Sequence, residues 1–149
     1  MKQVLFKQGQ VTVAEVPAPQ VEPGKVLVKV LFSCISIGTE MSGIRSSGLP
    51  IWKKALQQPD KVKKVLNLVA TQGFVKTKEM VDGKLSSSSP TGYSAAGVVM
   101  EVGAGIDDIK PGDRVACAGA QCAFHAEYIC VSRNLVVKVP AKLSLDEAD

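Results

Sequence analysis

Three groups of residues in this chain could do chemistry. Cys117-x4-Cys122-x2-His125, with Cys130 beyond, offers thiolate and imidazole donors. The spacing lacks the Cys-x2-Cys pairs of a structural zinc site, so free thiols are the plainer reading and a metal-binding domain through these residues the sharper one. His125 is the only histidine, and its place just ahead of a strand pattern favours a structural or exposed role. The second group is Gly38-Thr39-Glu40, with Tyr93 further on. A threonine hydroxyl donates and accepts at once, as a proton relay requires, but it serves equally as a turn or cap. A tyrosine phenol donates a hydrogen bond to a reacting oxygen, or simply packs as an aromatic. Glu40 can orient Tyr93, bind a polar substrate, or lie at the surface. The third group is a run of lysines: residues 46–89 hold Lys53, Lys54, Lys61, Lys63, Lys64, Lys76, Lys78 and Lys84 against Asp60, Glu79 and Asp82. Arginine is absent there and the only aromatics are Trp52 and Phe74, which points to a solvated helix face rather than nucleic acid. An anionic substrate, lipid or partner surface stays open.

Alternation and turn residues set out the elements that must position these groups. Residues 1–16 alternate around Gln8-Gly9-Gln10 and read as a hairpin, with Val4 and Phe6 on one strand and Val11 and Val13 on the other. Pro23-Gly24 is a turn that feeds the strand Lys25 to Phe32, with Val26, Val28 and Val30 on one face. Gly92 and Gly97 mark tight backbone, Val98, Val99 and Val102 favour a strand, and Gly103-Ala104-Gly105 ends it. Lys110-Pro111-Gly112 turns into a further strand at Arg114-Val115, and Tyr128 to Val131 and Val136-Val137 follow. Between them, Ile51–Leu85 reads as helical: Asp60 is an N-cap, Val62, Val65, Leu66 and Val69 fall on one face, and Gly73 is a C-terminal stop. A shorter helix is expected from Thr77 to Asp82, and Ser86 to Ser89 forms a flexible return.

The chain has 149 residues, 46% hydrophobic and 21% charged, with a net charge of +4. That suits one soluble domain, able to bury roughly 68–70% of its unfolded surface. Its apolar runs are too short to span a bilayer, and Met1 to Lys7 holds no signal-peptide core. A domain of this size does not need disulfides, so its four cysteines fit a reducing cytoplasm.

Pro90 to Val115 resembles the N-terminal GroES-like domain of the medium-chain dehydrogenase/reductase superfamily. That family carries Gly-His-Glu-x-x-Gly-x-Val, a Val-Gly turn and Gly-Asp-x-Val. Here the first motif reads Gly92-Tyr93-Ser94-Ala95-Ala96-Gly97-Val98-Val99, and the last reads Gly112-Asp113-Arg114-Val115. The opening hairpin, Ala123-Phe124-His125-Ala126-Glu127-Tyr128 and Val136-Val137-Lys138-Val139-Pro140 extend the likeness to nearly the whole chain. The resemblance implies a mainly β (α+β) fold: a GroES-like β-barrel over residues 1–149, with a helical insertion at about residues 50–85. Gln57-Gln58-Pro59-Asp60-Lys61-Val62 is similar to the insert of a zinc-free subgroup fused to a Gfo/Idh/MocA-type domain.

The departures from the family pattern carry the chemistry. The zinc-ligand positions hold Ile37, Tyr93 and Ser94, and the four-cysteine lobe of zinc members is missing, so the resemblance implies no metal. Gly38 and Thr39 match the family's Gly-Thr segment along the cleft where substrate and nicotinamide meet, and Thr39 aligns with the hydroxyl that relays a proton. The implied site is therefore Thr39, Tyr93 and Glu40 for catalysis, with Gly38 and Thr39 against the cofactor. No Gly-x-Gly-x-x-Gly opens a helix here, so NAD(P) is expected to bind mainly through a C-terminal Rossmann domain, and this chain alone is expected to be inactive. The resulting expectation is the substrate-side domain of a zinc-independent NAD(P)-dependent oxidoreductase. Its substrate is a small alcohol or carbonyl, anionic ones included; no nucleic acid or membrane is involved, and a homo-oligomer is left open. The alternative is a non-enzymatic β-barrel module whose basic insert binds an anionic partner.

Overall fold

A computed structural model describes residues 1–7, 9–38, 40–42, 67, 70, 71, 73 and 88–149. Thr39 lies outside the described residues, as does nearly all of the expected helical insert at 50–85. Within that insert, Asn67, Ala70 and Thr71 are helical and Gly73 has a φ of +84°, as a C-terminal stop requires. The helix expected over Thr77–Asp82 and the serine return over 86–87 are outside the described residues.

The strands fall where alternation and turn residues place them. β1 (Lys2–Lys7) and β2 (Gln10–Glu15) form the opening hairpin, with Val4 opposite Val13 and Phe6 opposite Val11. β3 (Lys25–Ser33) is followed, beyond the insert, by β4 (Ser89–Pro90) and β5 (Ser94–Val102). β6 (Arg114–Ala118), β7 (Tyr128–Ser132), a 3-10 turn at Arg133–Leu135 and β8 (Val136–Lys138) complete the described set.

Two antiparallel sheets result, ordered β2-β1-β4 and β7-β3-β5-β6-β8. They are not separate layers. A bridge between Gln3 and Ala126, just ahead of β7, ties β1 to the larger sheet. The Val4 N–H also donates to the His125 carbonyl at 2.8 Å, and the Glu127 N–H donates to the Lys2 carbonyl at 3.1 Å. The mainly β GroES-like architecture read from the sequence is the one observed.

The core sits on one face of the larger sheet. Val26, Val28, Val99, Val115, Ile129 and Val131 pack there with Ile109, Ala123 and Val136. Burying β-branched side chains of this size stabilises by about 1.5–3 kcal/mol each before conformational entropy is subtracted. At Gly97 β3 and β5 approach closely: a Cβ there would lie 2.0 Å from the Lys29 carbonyl oxygen. No larger residue fits without separating the two central strands. Near its end β3 carries a register shift between Val30 and Phe32, which re-aims its last side chains. Ser33 is the residue delivered by that irregularity.

Candidate active site

The site is built at the corner where β3 ends, β1 crosses and the segment ahead of β7 arrives. Ser36 follows β3, and residues 37, 38 and 40–42 are helical. The Glu40 N–H donates to the Ser36 carbonyl at 2.9 Å, and the Ser36 N–H donates back to Glu40 Oε1 at 3.1 Å. This reciprocal pair fixes the Glu40 side chain against its own turn. Thr91 follows β4, and its hydroxyl donates to Glu40 Oε2 at 3.1 Å.

His125 is held from both sides of its backbone. Its N–H donates to the Thr91 carbonyl at 2.9 Å, while its carbonyl accepts from Val4. The close passage of these segments depends on Gly92, which has a φ of +105° and whose Cβ would stand 2.6 Å from the His125 nitrogen. The imidazole then reaches two partners. Nδ1 lies 2.8 Å from Ser33 Oγ, and Nε2 lies 3.1 and 3.2 Å from the two Glu40 carboxylate oxygens. The side chains of His125 and Glu40 are only 8% and 11% exposed.

The electrostatics follow from those contacts. Burial pushes the Glu40 carboxyl up, but hydrogen bonds from His125, Thr91 and the Ser36 N–H outweigh it and hold the group below its ordinary 4.5. An ionised carboxylate only accepts, so Nε2 must carry a hydrogen toward it. In the neutral ring Nδ1 is then an acceptor for the Ser33 O–H; in the imidazolium it donates to Ser33 Oγ.

Two cavities meet at this network. One of about 380 Å³ has apolar walls from Val4, Val11, Ile35, Ile37 and Met41, and a polar side from Ser33, Glu40, Thr91 and His125. The other, about 300 Å³, runs along β1 and β3 and is also bordered by Ser33 and His125, with Lys2, Phe32 and Glu127. An apolar chamber with a few convergent polar groups is the usual form of a small-molecule site.

The structure distributes the expected site residues unevenly. Glu40 is in the network and lines the larger cavity, so it is not a surface carboxylate. Its partners are Ser36, Thr91 and His125. Gly38 is exposed on the helical stretch beside it, and a Cβ there would meet nothing within 4 Å. Tyr93 is half-buried, and its carbonyl accepts the Gly119 N–H at 2.8 Å. Neither cavity counts it among its described lining residues. Ser33, Thr91 and His125 are the members that sequence reasoning missed. The single available signal was that the chain has only one histidine.

Among the described residues, no three or more His, Cys, Asp or Glu side chains converge as a metal cage. Both ring nitrogens of His125 are engaged by Ser33 and Glu40. All four cysteines are free: Cys34 is exposed, and burial pushes the Cys117 thiol up to about 12. Ile37, at one expected ligand position, is 75% exposed and offers no lone pair. Asp149 adds one more carboxyl nearby. Burial raises it, against hydrogen bonds from the Cys34 N–H and the Ser94 hydroxyl and the charge of His125. Among the described residues, no helix is long and apolar enough to cross a membrane.

Comparison with known proteins fits this geometry. Residues 69–141 match the alcohol dehydrogenase GroES-like domain family. A stretch of 57 residues is 38% identical to putative alcohol dehydrogenase D of Mycobacterium tuberculosis, covering 37% of this chain and 16% of that protein. Among solved structures, galactitol-1-phosphate dehydrogenase from Escherichia coli is similar at a TM-score of 0.68 and 22% identity, over 99% of this chain and 40% of that one. The quinone oxidoreductase from Coxiella burnetii matches at 0.63 and 21%, over 99% and 39%. Escherichia coli quinone oxidoreductase complexed with NADPH matches at 0.61 and 20%, over 99% and 36%. At these identities the structural likeness is one of fold, and the chain spans well under half the length of each relative.

Proposed function

We propose, from the premise that this chain carries the N-terminal GroES-like domain of the medium-chain dehydrogenase/reductase superfamily, that it is the substrate-side domain of a zinc-independent, NAD(P)-dependent oxidoreductase. The reaction is hydride transfer between nicotinamide and a small alcohol or carbonyl. One observation carries this reading: an apolar cavity closes on a hydroxyl–imidazole–carboxylate network beside Gly38 and Glu40. Such a chamber accepts the carbon skeleton of a small substrate and presents hydrogen-bonding groups to its oxygen.

The residues at the three zinc-ligand positions do not fit the metal. Ile37, at the thiolate position, has no donor atom, and Tyr93 and Ser94 do not replace an imidazole and a carboxylate. Polarisation of the carbonyl then falls to hydrogen-bond donors, for which Thr39 and Tyr93 are the candidates, with Glu40 as the site carboxylate. Gly38 and Thr39 lie against the cofactor, which is held mainly by a Rossmann domain outside these 149 residues. Nicotinamide, when bound, supplies the hydride donor or acceptor. The enzyme works in the cytoplasm, and the natural protein belongs with the zinc-free subgroup fused to a Gfo/Idh/MocA-type domain. This chain without its cofactor half is inactive.

The test is hydride transfer by this chain joined to its dinucleotide-binding half. Thr39→Ala and Tyr93→Phe are expected to lower the rate roughly 100-fold where a general acid or oxyanion donor is lost. Unchanged rates in both variants would remove the assignment, and one bound zinc per chain by metal analysis would overturn the zinc-free reading.

A further inference from the structure

We propose that Ser33, His125 and Glu40 form a proton relay serving the larger cavity, with the substrate oxygen at the Ser33 hydroxyl and His125 as the proton store. The inference rests on the oxidoreductase reading above and names the route by which its proton moves. Ser33 and His125 both border the cavity, and Glu40 closes the chain of contacts behind the ring. The geometry is tight at each link: 2.8 Å from Ser33 Oγ to Nδ1 and 3.1 Å from Nε2 to Glu40. Glu40 is itself immobilised by Thr91 and by the Ser36 N–H. A buried histidine needs partners for both nitrogens whatever its role; what sets this one apart is that it also borders two cavities.

The step balances as follows. In alcohol oxidation the substrate C–H bond breaks and its electron pair leaves as hydride to the oxidised nicotinamide co-reactant. The substrate O–H bond breaks as the carbonyl π bond forms, and that proton goes to Ser33 Oγ. The Ser33 hydroxyl proton passes to His125 Nδ1, giving an imidazolium whose other N–H is held by the Glu40 carboxylate. Carbonyl reduction runs the same transfers backwards. Thr39 and Tyr93 keep their proposed role of hydrogen bonding to the substrate oxygen, and the relay supplies or removes the proton itself. The charged groups around the ring are Glu40 in contact, Asp149 near enough to feel its charge, and Lys2 and Glu127 along the second cavity.

The single histidine makes the relay directly observable. With ¹⁵N-labelled histidine in the 149-residue chain, NMR is expected to show the neutral ring protonated at Nε2, with a hydrogen-bonded Nδ1. Ser33→Ala should shift the Nδ1 resonance while leaving the amide spectrum dispersed, and Glu40→Gln should shift the Nε2 resonance. Benzyl alcohol, used as a probe of the cavity, should perturb the ring resonances. In the protein joined to its cofactor half, Ser33→Ala and His125→Gln should each lower hydride transfer about 100-fold and abolish the histidine limb of the pH–rate profile. Added imidazole should restore part of the rate in His125→Ala, and Thr39→Ala should slow the reaction with that limb intact. An Nδ1 resonance indifferent to Ser33→Ala, or a limb that survives both relay variants, would overturn the relay and leave the oxidoreductase reading standing. A wild type that transfers no hydride to or from any alcohol or carbonyl fails that reading itself. Labelling of Ser33 by a fluorophosphonate would make it a nucleophile and likewise overturn the relay.

Discussion

Val26, Val28, Val99, Val115, Ile129 and Val131, in the larger sheet, are at most 1% exposed and contribute no side-chain polar atom. At the end of the same strand β3, Thr91 and His125 are buried and Ser33 and Glu40 partly so, yet every one of them meets its neighbours through polar atoms. The sheet interior holds by volume alone, so solution pH leaves it untouched and a misplaced methyl does not. The corner holds by hydrogen bonds to an ionised group, so it responds to protonation and to the loss of a single oxygen. A dry core positions a site, while a buried polar cluster beside a cavity is a site in its own right.

The contrast is broken most severely at Gly97. Gly97→Ala places a Cβ against the Lys29 carbonyl oxygen and forces β3 from β5, with an expected loss of about 3 kcal/mol or more by urea denaturation. The corner should respond less in stability and more in chemistry. Glu40→Gln keeps the shape but weakens the bonds from His125, Thr91 and Ser36, and should cost about 1–3 kcal/mol at neutral pH.

A pH series sharpens the same point. The Glu40 carboxyl sits below its unfolded value of 4.5, so its contribution is complete above that pH and is lost as pH falls through the folded value. Wild-type stability should therefore drop below pH 4.5 in a way that Glu40→Gln does not show. The exposed carboxylate of Asp108, hydrogen-bonded by Arg133 and held down to about 2, has the same sign. Its pair is open to solvent, so Asp108→Asn should leave stability little changed in the same titration. The smallest stability effect belongs to Gly38→Ala. It meets no atom, removes a helical glycine, and should be neutral or stabilising by up to about 1 kcal/mol in thermal unfolding. Tighter cofactor binding by that variant, rather than weaker, would contradict the cofactor role of Gly38.

The sheets were legible because their signals are local. Alternation in Lys25 to Phe32 and the Pro-Gly turns fix strand and corner within a few residues, and the close approach at Gly97 was foreshadowed by a glycine among β-branched neighbours. The strand after Gly92 and the return through Tyr128 were equally plain. The site was legible only in part. Glu40 was singled out through the family pattern. His125 was read as structural or exposed, because its partners Glu40 and Ser33 lie 85 and 92 positions away. No periodicity encodes a contact of that range. Ser33 was hidden further by the β3 irregularity, which changes where a strand's last side chains point without changing its composition.

The cysteine arrangement has a practical consequence for studying the pocket. At neutral pH the Cys117 sulfur stays protonated and sluggish toward electrophiles, whereas Cys34 is exposed. Cys34 also sits in sequence between Ser33 and Ile35, two of the residues that wall the chamber. A maleimide fluorophore or spin label attached there would sit next in the chain to two wall residues, giving an optical or magnetic gauge of changes at the chamber without any engineered attachment point.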